Sequence, residues 1–96
     1  WYKESLIIGI DKIIYPWKHP SVADLEVSDF ESAFEGNTEV ILLGTGRKQV
    51  FPDAHLVTKI LKRGVGIEVM DSKSACRTFN LLVSEYRRPL AMLMLE

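Results

Sequence analysis

Short apolar runs alternate along this chain with polar stretches in which apolar residues recur every three or four positions, and the two periods predict different elements. Ser5-Leu6-Ile7-Ile8-Gly9-Ile10 and Lys12-Ile13-Ile14-Tyr15-Pro16-Trp17 are β-branched runs on either side of Asp11, the pattern of a hairpin. Pro16 has no amide proton to give a ladder, so it closes the second strand or leaves it at an edge. His19-Pro20-Ser21-Val22 is a connector. Ser28-Asp29-Phe30-Glu31 has capping-box spacing, with Ser28 as N-cap and Glu31 at N3. Phe30, Ala33 and Phe34 then share one face of a short helix that Gly36-Asn37 stops.

Glu39-Val40-Ile41-Leu42-Leu43 is continuously apolar after its first residue, as expected of a strand covered on both faces, and Gly44-Thr45-Gly46 breaks it. Gln49-Val50-Phe51 adds a few extended residues before Pro52. A second helix is predicted from about Asp53 to Gly64, with Leu56, Val57, Ile60 and Leu61 inward and Lys59, Lys62 and Arg63 in its last turns, where cations suit the helix dipole. Val65 to Met70 is a strand with Val65, Ile67 and Val69 on one side. A third helix begins after Asp71 or Ser72, either of which can cap it, with Ala75, Cys76, Phe79, Leu82, Val83 and Tyr86 as its inward stripe. Arg87-Arg88-Pro89 ends it, and Leu90 to Leu95 is the last strand. The order β-β-α-β-α-β-α-β predicts an α/β fold with a mixed sheet and right-handed crossovers.

Composition narrows function by exclusion. Ninety-six residues, 47% hydrophobic and 26% charged, fit one globular domain. A net charge of −1 gives no general pull toward nucleic acid or an anionic membrane. The single cysteine excludes an internal disulfide and fits a reducing compartment. No apolar run approaches the roughly 18 to 20 residues that span a bilayer. No signal peptide is visible, and the chain begins at Trp1 without a methionine, which fits a trimmed N-terminus.

Ligands in open α/β sheets bind beyond the carboxyl ends of the strands, which here means the loops after Leu43 and after Met70. In the first, Gly44, Thr45 and Gly46 permit close backbone approach while Arg47 and Lys48 add positive charge. An anion could sit there, although the glycine spacing is neither a P-loop nor a dinucleotide fingerprint, and a plain turn with two solvated cations is the simpler reading. Glu68 interrupts an apolar strand, so it should pair with Arg77, Arg47 or Lys48 or lie at an exposed end. Asp71 reads as a turn or cap residue. Cys76, near the start of a helix and beside Arg77, has a setting that favours thiolate, with Asn80 one turn on, but neither His19 nor His55 is placed near it as a base. One cysteine and two scattered histidines give no metal-site spacing, and no cofactor is implied. Trp1, Tyr15 and Trp17 form either an exposed aromatic patch or hairpin and core packing.

Two blocks together resemble a known family. Leu42-Leu43-Gly44-Thr45-Gly46-Arg47 followed by Phe51-Pro52, and Gly64 to Asp71 followed by Ala75-Cys76-Arg77-Thr78-Phe79-Asn80, are similar to the small Mth-type domain family. That family includes bacterial proteins of unknown function, an adipogenesis-associated animal protein and a mitochondrial complex I assembly factor. The resemblance implies a layered β/β/α domain with helices on one side of bent or paired sheets, and a strand or two upstream of Trp1. It implies no catalytic residues, and Gly44, Thr45, Gly46, Arg47, Glu68, Asp71, Cys76, Arg77 and Asn80 carry over as motif positions only. Ser5 to Ile8 and Asp71 to Asn80 are more similar to the bacterial branch.

The function expected on these grounds is that of a non-enzymatic domain binding a protein partner, as an assembly or accessory factor. It is cytoplasmic if bacterial and mitochondrial if eukaryotic. The alternative is a small-molecule (anion) binding protein or an enzyme, with its site at the Gly44–Lys48 and Asp71–Asn80 loops. The hairpin edge leaves oligomerisation open.

Overall fold

The computed structural model describes residues 3–95. β1 (Leu6–Ile8) and β2 (Ile13–Ile14) form the hairpin, followed by α1 (Glu31–Phe34), β3 (Val40–Thr45), α2 (Ala54–Lys62), β4 (Gly66–Met70), α3 (Ser72–Ser84) and β5 (Pro89–Met94). The five strands make one mixed sheet in the order β2-β1-β5-β3-β4. β3 lies between β4 and β5 and is parallel to both, while β1 is antiparallel to β5 and to β2. The element order is the expected one.

The crossovers fix where the helices lie. The β3-α2-β4 connection steps outward to the sheet edge, and the β4-α3-β5 connection steps back across β3. Two right-handed crossovers running in opposite directions must place their helices on opposite faces. The cores agree. Ile41 and Leu43 of β3 join Phe30, Ala33, Leu56, Ile60 and Met92 on one face, whereas Val40 and Leu42 join Ala75, Ala91 and Leu93 on the other. Helices on one side only, which the resemblance implied, is therefore corrected: α1 and α2 cover one face and α3 the other. Every residue of β3 and β5 is buried, as a doubly covered strand requires.

Several boundaries move for local reasons. The capping box lies two residues earlier than expected, since the Asp29 carboxylate accepts the amide of Glu26 at 2.8 Å at the head of a 3₁₀ turn over Val27–Phe30. Gln49-Val50-Phe51 adds no strand and lies exposed. β2 has only two residues, and Pro16 lies beyond its end at the sheet edge. On α2, Leu56 and Ile60 are buried but Leu61 points outward, and Arg63 of the basic trio stacks 4.0 Å over the Phe34 ring. Trp17 belongs to the core and Tyr15 is exposed, while Trp1 lies outside the described residues.

α3 departs most from its predicted stripe. Ala75 is buried, and Phe79 and Leu82 pack beside it, but Cys76 and Val83 are exposed. Tyr86 lies beyond the helix and is 96% exposed. The helix ends in a Schellman turn: the Arg87 amide donates to the Leu82 carbonyl and the Tyr86 amide to the Val83 carbonyl. That turn needs a left-handed residue, and Tyr86 supplies it at φ 61°.

Candidate functional site

The carboxyl ends of β3, β4 and β5 meet at one end of the sheet, where the connections from β3 and β4 leave toward opposite faces. Ligands favour such a switch point. A cleft of about 810 Å³ opens there, lined by Lys3, Gly46, Arg47, Asp71, Ser72, Lys73, Met94 and Leu95.

Beneath the cleft the two motif loops are tied together. Gly44 and Thr45 do not break β3 as expected but continue it, with Gly44 paired to Met70 and Leu93 and Thr45 to Met94. The turn comes at Gly46, whose φ is 93°. Gly44 is glycine for a packing reason: a Cβ there would lie 2.9 Å from the Ser72 Cα and 3.1 Å from Leu93. It lets α3 start directly against the strand and offers a ligand nothing. Thr45 is buried, its hydroxyl accepting the Val50 amide at 2.9 Å and facing the carbonyls of Lys48 and Met70. Ser72 donates its hydroxyl proton to the Met94 carbonyl at 2.7 Å and accepts the Gly46 amide at 2.9 Å. Gln49 adds a bond to the Val69 carbonyl at 2.8 Å.

Asp71, rather than Ser72, caps α3. Its Oδ1 accepts the Ser74 amide and its Oδ2 accepts the Ser74 hydroxyl, each at 2.8 Å. Those two bonds, with a smaller contribution from the charge of Arg77, hold its carboxyl below the ordinary carboxylate value against a modest opposing desolvation. Arg77 donates to the Ser74 hydroxyl at 3.1 Å, and so stays on the helix surface outside the cleft.

The cleft therefore gathers three of the predicted positions, Gly46, Arg47 and Asp71, and leaves Lys48, Glu68, Cys76, Arg77 and Asn80 outside its wall. Glu68 meets none of the expected cations. It is exposed on the edge strand β4, where water solvates it. At Cys76, of the two readings a thiolate and a plain filler thiol, the thiolate is the less favoured: desolvation pushes its thiol above the ordinary value, and the Arg77 charge offsets this only in part. Lys3, Ser72, Lys73, Met94 and Leu95 were missed. Ser72 and Lys73 stood inside a motif block, but Lys3 and Leu95 lie at opposite ends of the chain and gave no local signal.

A second arrangement was also missed. His19 Nδ1 lies 2.7 Å from the Pro20 carbonyl, which can only accept, so Nδ1 carries the proton and Nε2 accepts from the Ser5 hydroxyl at 2.8 Å. This is nucleophile-and-base geometry. The Ser5 oxygen also accepts the Leu95 amide at 2.9 Å, and Ser5 is 7% exposed. The pair thus ties the start of β1, the connector after β2 and the end of β5 together, with the hydroxyl committed to both partners.

The fold is shared with known proteins. A 13 kDa major membrane protein of Francisella tularensis is 34% identical over 87 residues, covering 90% of this chain and 71% of its own length. The NADH dehydrogenase (ubiquinone) 1 alpha subcomplex assembly factor 3 of Danio rerio is 37% identical over 82 residues. That match covers 83% of this chain but only 47% of the relative, so the chain spans about half the length of that protein. An NMR structure of a Xanthomonas campestris protein has a TM-score of 0.85 at 36% identity, over 96% of this chain and 70% of that one. A Bordetella pertussis protein described as a Mth938-like domain has a TM-score of 0.79 at 26% identity, over 97% and 74% of the two chains. Among the described residues no helix is long and apolar enough to cross a membrane. Residues 1–94 match one family throughout, and the chain belongs to it: the family described as protein of unknown function, DUF498/DUF598.

Proposed function

We propose that this chain binds a protein partner, as an accessory factor in the assembly of a larger complex, and does not act as an enzyme. The observation that carries this reading is the apolar open edge of the sheet. β2 ends the strand order, and Ile13 and Ile14 alternate across it, 55% and 36% exposed, with Ile10 of the adjoining turn 46% exposed. Neither helix layer covers them. Unpaired edge strands attract an added strand from another chain; this edge is shortened to two residues and followed by Pro16, but neither of its two positions carries a guarding charge. Similarity to proteins named as assembly factors supports the same reading. So does the internal satisfaction of the hydroxyls at the two motif loops: those of Thr45 and Ser72 bond backbone, and that of Ser74 bonds Asp71 and Arg77.

The test is affinity purification of the full-length tagged protein from its own cells, beside an Ile13→Lys variant and an Ile10→Lys variant. One partner recovered in near-equal amount with the parent and lost with Ile13→Lys, while the variant keeps its melting temperature, is the expected result. A partner retained by both variants overturns the edge as the binding surface. Recovery of the parent alone, even after crosslinking in cells, overturns the partner itself. A cytoplasmic location belongs to the same proposal, and fractionation of those cells tests it directly, since the Francisella relative is named as a membrane protein.

A further inference from the structure

The cleft at the carboxyl ends of the parallel strands is built against its own electrostatics. Lys3, Arg47 and Lys73 reach its rim from three separate stretches of chain, and among the described residues none of their side chains has an ion-pair or hydrogen-bond partner. Elsewhere Lys12, Lys18 and Arg87 each meet a carboxylate while Lys48, Lys59, Lys62 and Arg88 meet none among the described residues, so what sets the three apart is that one cleft gathers them. Lys73 is the second residue of α3, at the positive end of the helix dipole, where a cation is unfavourable and an acidic residue is the stabilising choice. The Gly46 turn carries Arg47 to the same rim. Like charges gathered without a compensating contact mark a position where stability has yielded to binding.

Asp71 does not relieve this. Both its oxygens bond Ser74 within the first turn of α3, so its charge is spent as the helix cap. Among the described residues, three cations against one carboxylate leave the lining with an excess of two positive charges. The lining also has an apolar part, the side chain of Leu95, 40% exposed, beside Met94, whose own side chain is committed to the core. At about 810 Å³ the cleft is of the size that takes a small organic ligand, for which such pockets run from roughly 300 to 1,000 Å³. A phosphate monoester carries about −1.5 to −2 charges at neutral pH, which matches that excess, and an arginine fork suits its oxygens. The geometry points to a binding site for a small phosphate monoester, its phosphate held by Lys3, Arg47 and Lys73 and its organic part laid on Leu95. This site is separate from the β2 edge, and neither reading depends on the other.

Phenyl phosphate, inorganic phosphate and benzyl alcohol are titrated separately into the ¹⁵N-labelled protein, with amide shifts as the readout. Phenyl phosphate should shift Gly46, Arg47, Lys73 and Leu95 together and saturate. Inorganic phosphate should shift the first three more weakly and leave Leu95 in place, and benzyl alcohol should do neither. Arg47→Ala and Lys73→Ala should each weaken phenyl phosphate roughly tenfold, the size of one lost charge-assisted hydrogen bond. Lys48→Ala, a neighbouring exposed cation off the cleft wall, should bind as the parent does. All three substitutions are at exposed side chains, and unchanged amide positions away from the cleft verify their folds. Absence of a saturable shift overturns the site. Equal weakening by Lys48→Ala and Arg47→Ala overturns it in favour of diffuse surface charge, and equal affinity for the two phosphates overturns the monoester in favour of the free ion.

Discussion

Gly46 and Ser72 hold each other through a reciprocal pair of hydrogen bonds: the Ser72 amide donates to the Gly46 carbonyl at 2.8 Å, and the Gly46 amide donates to the Ser72 hydroxyl at 2.9 Å. This pair joins the turn after β3 to the first residue of α3, and the same hydroxyl passes its proton to Met94 at the end of β5. All three parallel strand ends are thereby registered by one side chain. Ser72→Ala should leave the Gly46 amide and the Met94 carbonyl without their partner, at a cost of about 1–3 kcal/mol for partly buried polar groups. Urea denaturation measures it, and faster hydrogen exchange at Gly46 in the variant locates the loss.

Gly44→Ala tests the closeness of α3 to the sheet. The added methyl meets backbone at the Ser72 Cα, 2.9 Å away, so the helix start must shift rather than a flexible side chain. A loss of roughly 1–3 kcal/mol is expected, as for other overpacked cores. Gly66→Ala provides the control, because its nearest neighbour would be Val40 Cγ2 at an ordinary 3.5 Å. Thermal melts of the two variants should separate clearly, and equal melts would show that α3 is not held this tightly.

These two residues show why the sequence was legible in part. The run Val40 to Leu43 announced a strand covered on both faces, because it is apolar at every position yet too short for a buried helix and bounded by Gly44. Gly44 reads locally as a breaker, and its true reason lies on α3, a contact that no window of sequence contains. Likewise the period of α3 identified Ala75, Phe79 and Leu82. The width of sheet available to that helix decided that Cys76 and Val83 fall outside. Of the candidate site, Gly46, Arg47 and Asp71 were readable from loop chemistry at strand ends. Lys3, Met94 and Leu95 entered only when the antiparallel pairing of β1 with β5 brought the two chain ends to that same end of the sheet.

Arg87-Arg88-Pro89 signals that α3 ends, but nothing in the sequence signals which residue makes the turn, since a tyrosine stands where glycine is usual. Tyr86 is 96% exposed at φ 61°, so its side chain packs on nothing that repays the left-handed backbone. Tyr86→Gly removes a penalty of roughly 1–2 kcal/mol and adds the smaller entropic cost of glycine. A net gain of about 0.5–1 kcal/mol in unfolding free energy is expected from denaturant titration. A loss of stability would mean that the ring contributes a contact in solution.

Asp71 gives the last prediction, through pH. Its carboxyl lies below the ordinary value of 3.8 because the ionised form accepts two bonds from Ser74. A group whose folded pKa is depressed adds stability that is fully present above the unfolded pKa and disappears as pH falls through the folded one. The parent should therefore exceed Asp71→Asn by a constant margin from neutrality down to the approach of 3.8, and the margin should shrink as pH falls further. Asparagine can still accept one bond at the cap, so the variant isolates the charge rather than the cap as a whole. Unfolding free energies of both proteins across that acidic range make the comparison, with the Asp71 carboxyl shift followed by NMR. A margin that stayed unchanged through the acid range would assign the stability to the cap geometry and leave the charge without effect.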